Sequence, residues 1–258
     1  MTLWDKPTAV LDRFGLSEDR IILIDKICHK FNIPARGVVF VFEKDDYQNY
    51  PNPTWENKAV YINVAVGGVE EMSPQHLVDL MVSQDYSQII WFSKQACASQ
   101  DIIFVWTFSH EIQHLEQNLR NTALSKAGHF LVRTLGLIEI EEPKVQNAIP
   151  TELDANLKAW NVTQKLLGKE TADTFVKDES ISGKHKQSFQ ILISHKPNNT
   201  YDVFGCTINI LRKYSAQFKD LQAGSNDGFV RNFNIEEICL ELSHPPRFQE
   251  CSKSKTCG

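Results

Sequence analysis

Residues 99–120, SQDIIFVWTFSHEIQHLEQNLR, are apolar on all sides in their first half and two-faced in their second. A helix with that pattern enters a core and emerges at a cleft. Where it turns polar it carries His110-Glu111-Ile112-Gln113-His114. Residues four apart on a helix stand one turn above each other, with roughly 5–6 Å between Cβ atoms, so the two imidazoles can converge on one ion. Glu111 is turned about 100° from His110. That is too far to bind the same ion but near enough to reach a water beside it, the position of a general base. Val105, Phe108, Ile112, Leu115 and Leu119 recur at steps of three and four and form a separate apolar stripe, which leaves the histidines free of packing duty.

Such a motif arises by chance in roughly one or two of every hundred chains of this composition, so it needs a third ligand to become a site. A hydrolytic zinc takes three protein ligands and keeps one position open. Downstream stand His129, the cluster Glu139, Glu141 and Glu142, then Glu152 and Asp154. Glu152 is the preferred ligand, because PTELDANLKAWNVTQKLLG (150–168) reads as a helix whose apolar face, Leu153, Leu157 and Trp160, can pack beside the motif helix. Asn156 shares the face of Glu152 and is placed to hydrogen-bond a ligand from behind. Thr151 and Asp154 read as a capping box at that helix start, and Gly168 as its stop.

Around this pair the chain alternates strands and helices. RGVVFVFEK (36–44), KAVYINVAV (58–66) and YSQIIWFSK (86–94) are β-branched and aromatic runs that read as strands, the last equally as an edge strand along the cleft or as a buried strand. SEDRIILIDKICHKFNI (17–33) has apolar residues at helical spacing, Ile21, Ile24, Ile27, Cys28 and Phe31, and stops near Pro34. SPQHLVDLMVSQ (73–84) and LSKAGHFLVRTLG (124–136) read as further helices. The expected fold is α+β, a small mixed or mostly antiparallel sheet around Val38, Ile62 and Ile89, packed on the motif helix and flanked by others.

The chain has 258 residues, 42% hydrophobic and 23% charged, a composition that supports a sizeable core. A formal net charge of −5 gives no broad electropositive field and argues against nucleic acid as partner. No apolar run reaches membrane-spanning length and no secretory leader opens the chain, so a cytoplasmic protein without membrane partners is expected. Its six cysteines form no tight pair and read as free thiols.

His110-Glu111-Ile112-Gln113-His114 followed by Glu152-Leu153-Asp154-Ala155-Asn156 resembles the gluzincin-type zinc metallopeptidases, and distantly the ImmA/IrrE family of intracellular bacterial metallopeptidases. The resemblance implies a zincin-like architecture, a zinc ion on His110, His114 and Glu152, and Glu111 as catalytic base. It covers the motif helix through Asn156 and assigns nothing to the C-terminal third. The expected organisation is a zincin-like domain over 1–168, a mainly helical extension over 169–250 packing on it, and a flexible tail over 251–258. The expected function is zinc-dependent hydrolysis of peptide bonds in an intracellular protein or peptide, with His129, Tyr86, His195 or Tyr201 as candidate oxyanion donors. The rival expectation is a catalytically inactive, metallopeptidase-like protein-interaction module.

Overall fold

Runs of Val, Ile, Phe and Trp with buried side chains on both faces favour parallel pairing, because both faces of a parallel sheet are covered. The computed structural model, which describes residues 9–31, 38–44, 59–63, 88–138, 149–183, 185–195 and 201–244, has such a sheet. Its strands are β1 (Ala9–Asp12), β2 (Val38–Phe42), β3 (Ala59–Asn63) and β4 (Gln88–Phe92), in the order β1-β2-β4-β3. β1 pairs with β2, and β2 with β4, in parallel, with Val10 beside Phe40 and Phe40 beside Ile90. Only β3 runs antiparallel, with Tyr61 opposite Ile90.

The expectation of a mostly antiparallel sheet is therefore corrected: three of the four described strands are parallel. Two features explain the difference. β1 is a four-residue strand ending in Asp12, too short to show a pattern, and the helix after it carries the chain back to start β2 beside it. β4 is an inner strand rather than an edge strand, as the full burial of Ile89, Ile90, Trp91 and Phe92 requires.

Helix α1 (Glu18–Cys28) opens on a Ser17 cap, whose hydroxyl accepts from the Arg20 amide, and buries Ile24, Ile27 and Cys28. After α2 (Lys94–Ala98), the motif helix α3 spans Asp101–Arg120. Arg20 tethers its start: the guanidinium donates to the Ser99 carbonyl, pairs with Asp101 at 3.1 Å and lies 4.3 Å over the Phe104 ring. The apolar stripe of α3 meets the sheet through Val105, Phe108, Ile112 and Leu115. Phe108 fixes the rotation of the helix, with its ring 5.6 Å from Phe40, 6.4 Å from Phe42, 5.1 Å from Phe92 and 5.9 Å from Phe104. His110 and His114 consequently face away from the sheet core. Leu119, read as part of the stripe, is 41% exposed: the helix has by then run past the sheet.

On its other side α3 packs against α5 (Pro150–Leu167), its most extensive helix contact among the described residues. Leu153, Leu157, Ala159 and Trp160 of α5 form a second core with Trp106 of α3 and with α6 (Lys169–Ser182) and α7 (Lys186–His195). A third core joins α4 (Thr122–Thr134) to α8 (Val203–Lys213), α9 (Ser215–Gly224), α10 (Gly228–Asn232) and α11 (Ile235–Ser243). Every described element beyond Gly168 is a helix. No helix among the described residues is long and apolar enough to cross a membrane. The helix read over 73–84 lies outside the described residues.

α4 approaches the first turn of α5 at Gly128. A Cβ there would lie 2.6 Å from Thr151 Oγ1 and 2.9 Å from its Cγ2, and Thr151 is buried with a stiff β-branched side chain. Gly128→Ala gains up to about 1 kcal/mol of helix propensity, but over-packing costs about 1–3 kcal/mol. The variant is expected to be less stable in urea unfolding by about 1 kcal/mol or more. A gain in stability would contradict the close approach.

Candidate metal centre

Two elements that are remote in sequence bring the donors together. His110 and His114 stand on α3, one turn apart, and Glu152 stands in the first turn of α5. Their ligand atoms all lie within 4.8 Å of one another, and together they can hold a metal ion. His110 Nε2 is 3.0 Å from His114 Nε2. Glu152 Oε2 is 3.3 Å from His110 Nε2, and its Oε1 is 3.4 Å from His114 Nε2. Bonds of about 2.0–2.1 Å to a tetrahedral ion place the ligand atoms about 3.3–3.4 Å apart, so the separations fit such an ion. The Glu152 side chain is 41% exposed, against 16% and 17% for the histidines, so the group is reached from solvent on the carboxylate side.

The donor chemistry passes the same test. His110 Nδ1 lies 3.1 Å from Asn156 Oδ1, and the Trp106 indole donates to that oxygen at 3.3 Å. An indole N–H can only donate, so it faces the amide oxygen, and the same oxygen must then accept from His110 Nδ1. A neutral His110 in that tautomer points its Nε2 lone pair at His114 and Glu152. Lone pairs and a carboxylate that converge in this way repel unless a proton or a metal ion stands between them.

Of the other residues singled out in the sequence, some join the centre and some do not. Asn156 backs His110, as its position four residues after Glu152 suggested. Asp154 and Thr151 do not form a capping box. α5 starts at Pro150 after Ile149 with no side-chain cap, and the Asp154 carboxylate instead accepts from Gln113 Nε2 and Gln117 Nε2, both at 2.8 Å. A proline at the first helical position needs no capping partner for its missing N–H, which frees the Asp154 side chain to face α3 and that of Thr151 to lie against Gly128 of α4. His129 is not in the ligand group; burial, then the charges of His114 and Arg133, lower its pKa to about 4, and it stays a neutral ring. His195 packs edge-on against Tyr201, 5.6 Å between ring centres. Tyr86, Glu139, Glu141 and Glu142 lie outside the described residues.

Two contacts of the centre were not read from the sequence. Gln117 Oε1 lies 3.0 Å from His114 Nδ1, and the backbone N–H of Tyr61 on β3 donates to Glu111 Oε2 at 2.8 Å. The first was open to view, since Gln117 follows His114 by three residues on one helix. The second depends on where the sheet places β3. Burial raises the pKa of Glu111 above the ordinary carboxylate range, against the pull of the two imidazoles.

Comparisons of the chain with models of protein families, with curated proteins and with solved structures find no match. The centre is accordingly read from its own residues.

Its protons give a test. Burial alone would depress His114, but Glu152 outweighs it and holds the imidazole up to about 9, from an ordinary 6.5. Burial alone would raise Glu152, but the imidazoles hold its carboxyl well below 4.5. The His114 contribution to stability is whole below about 6.5 and is lost as pH rises through about 9; that of Glu152 is whole above 4.5 and is lost in more acid solution. The melting temperature of metal-free protein in EDTA is therefore expected to fall between about pH 6.5 and pH 9. A saturating divalent ion, which takes the place of the proton, should remove that fall. A flat profile in EDTA would contradict the coupling of His114 to Glu152.

Proposed function

We propose that the protein is a zinc-dependent metallopeptidase of the gluzincin type that hydrolyses peptide bonds in a protein or peptide substrate. The observation that carries this reading is the position of Glu111 beside the three donors, with one carboxylate oxygen held by Tyr61 on the outermost described strand. Two imidazoles and a carboxylate with an open fourth position form a ligand set that suits hydrolytic zinc. The mixed sheet lying against the motif helix is compatible with a zincin-like arrangement.

Zinc held by His110, His114 and Glu152 supplies Lewis acidity, which brings the pKa of water to near 7 and polarises a carbonyl. The remaining work falls to the chain. Glu111 has one oxygen fixed by the Tyr61 N–H, which leaves its other oxygen for the proton transfer. Burial makes it a stronger base than an exposed carboxylate, so it takes the proton of the attacking water and returns it to the leaving amine. Among the described strands β3, not β4, lies at an edge, along which an extended peptide can add by main-chain hydrogen bonds, since β4 is paired on both sides. That edge favours a peptide over a small-molecule substrate.

Glu111→Gln keeps the shape of the side chain and its acceptor for Tyr61 but removes the base. The variant is expected to bind zinc at wild-type stoichiometry by metal analysis and to cleave a mixed peptide library roughly 10²- to 10⁴-fold more slowly. Cleavage at the wild-type rate would refute the mechanism.

A further inference from the structure

Behind His114 lies a chain of hydrogen bonds that the mechanism above does not use. Gln117, 2% exposed, donates from Nε2 to the Thr151 carbonyl at 2.9 Å and to Asp154 Oδ2 at 2.8 Å. Both partners are pure acceptors, so this end of the amide must be the nitrogen, and the end facing His114 Nδ1 at 3.0 Å must be the oxygen. An amide oxygen accepts and cannot donate; His114 Nδ1 must therefore carry a hydrogen, so that in the neutral ring it is the Nε2 lone pair that points at His110 and Glu152. Gln113 Nε2 also donates to Asp154 Oδ2 at 2.8 Å, so the carboxylate is held in place by two amides from consecutive turns of α3.

We propose that Gln117 is a positioning residue that fixes the tautomer of His114, and that Asp154 acts through Gln117 rather than as a ligand. This rests on the reading of His110, His114 and Glu152 as a zinc centre. The two histidines are thus served by amide oxygens of different origin. Asn156 of α5, locked by the Trp106 indole, serves His110, and Gln117 of α3, locked by Thr151 and Asp154 of α5, serves His114. In both, an α3–α5 contact sets which way the amide points. Asp154 adds a negative charge to the far end of the Gln117 amide, which polarises its oxygen toward the imidazole N–H and makes His114 a better donor to a metal.

The test uses the full chain and zinc alone as probe, titrated against a chromophoric chelator. Gln117→Met fills the space with only a weak thioether acceptor and is expected to weaken zinc binding about 10- to 100-fold, the usual cost of losing such a partner. Gln117→Glu restores an acceptor for His114 while losing both donations to α5, and is expected to bind within about threefold of wild type. A merely structural role predicts the reverse, because the glutamate would set a carboxylate against Asp154. Asp154→Asn keeps the size of the side chain and an oxygen to accept from the amides, leaves Gln117 itself in place, and should weaken zinc roughly threefold to tenfold.

The spectroscopic readout is the His114 Nδ1–H resonance by ¹⁵N NMR, observed in zinc-loaded wild type and in metal-free protein above pH 10. It should be present and protected in wild type and lost or exchange-broadened in Gln117→Met. Wild-type affinity in Gln117→Met, equal losses in the Met and Glu variants, or a metal-free His114 protonated on Nε2 would each overturn the proposal. If wild type binds no zinc yet shows the Nδ1–H tautomer, the zinc reading fails while the assignment of Gln117 stands.

Discussion

The contact on which the site depends is the packing of α5 against α3. α3 alone carries two imidazoles on one face, and α5 delivers Glu152, the acceptor for His110, and the two groups that orient Gln117. The result is a set of like donors, two ring nitrogens 3.0 Å apart and a carboxylate facing both. Such a cluster has a favourable state only with positive charge among its members. In metal-free protein a proton on His114 provides it, which is why that imidazole holds its proton up to about 9. A divalent ion provides it more fully, and the separations suit one.

The rest of the fold supplies rigidity to that contact from several sides. Phe108, two residues before His110, is surrounded by the rings of Phe40, Phe42, Phe92 and Phe104, so α3 cannot turn about its axis without breaking the core against the sheet. Trp106 reaches the opposite side, where it stacks on Phe189 of α7 and contacts Phe175 of α6 while its indole holds Asn156. The helices after Gly168 therefore have a physical link to the centre: they seat the tryptophan that orients the amide behind His110. α4 reaches the same region through Gly128, which lies against Thr151, whose carbonyl anchors Gln117. Placing functional groups on helices locked by such packing holds them to the tolerance that metal binding needs.

Much of the centre was legible in the sequence, because its signals are local. The four-residue spacing of His110 and His114 defines one helix face, the stripe through Phe108 and Ile112 frees that face, and the same four-residue rule ties Asn156 to Glu152. The strands around Val38, Ile62 and Ile89 were legible for a similar reason, their β-branched and aromatic composition. Pairing direction was not, since a continuous run such as Ile89–Phe92 shows that a strand is buried but not which neighbours bury it. Asp154 and Thr151 were misread for a related reason. A polar residue in a first turn carries the same signature whether it caps its own helix or faces another, and the approach of α3 to Asp154 and of α4 to Thr151 decides. The contact of Tyr61 with Glu111 joins residues 50 apart through a backbone N–H, a group that every non-proline residue has, so no side-chain pattern could announce it.

The central claim is that His110, His114 and Glu152 jointly hold one divalent ion. Zinc K-edge X-ray absorption on protein loaded with one equivalent addresses it directly. The account predicts two imidazole nitrogens and carboxylate oxygen at about 2.0–2.1 Å, completed by one light-atom ligand from solvent. A spectrum of fully hydrated zinc, or one with fewer than two imidazoles, would contradict it.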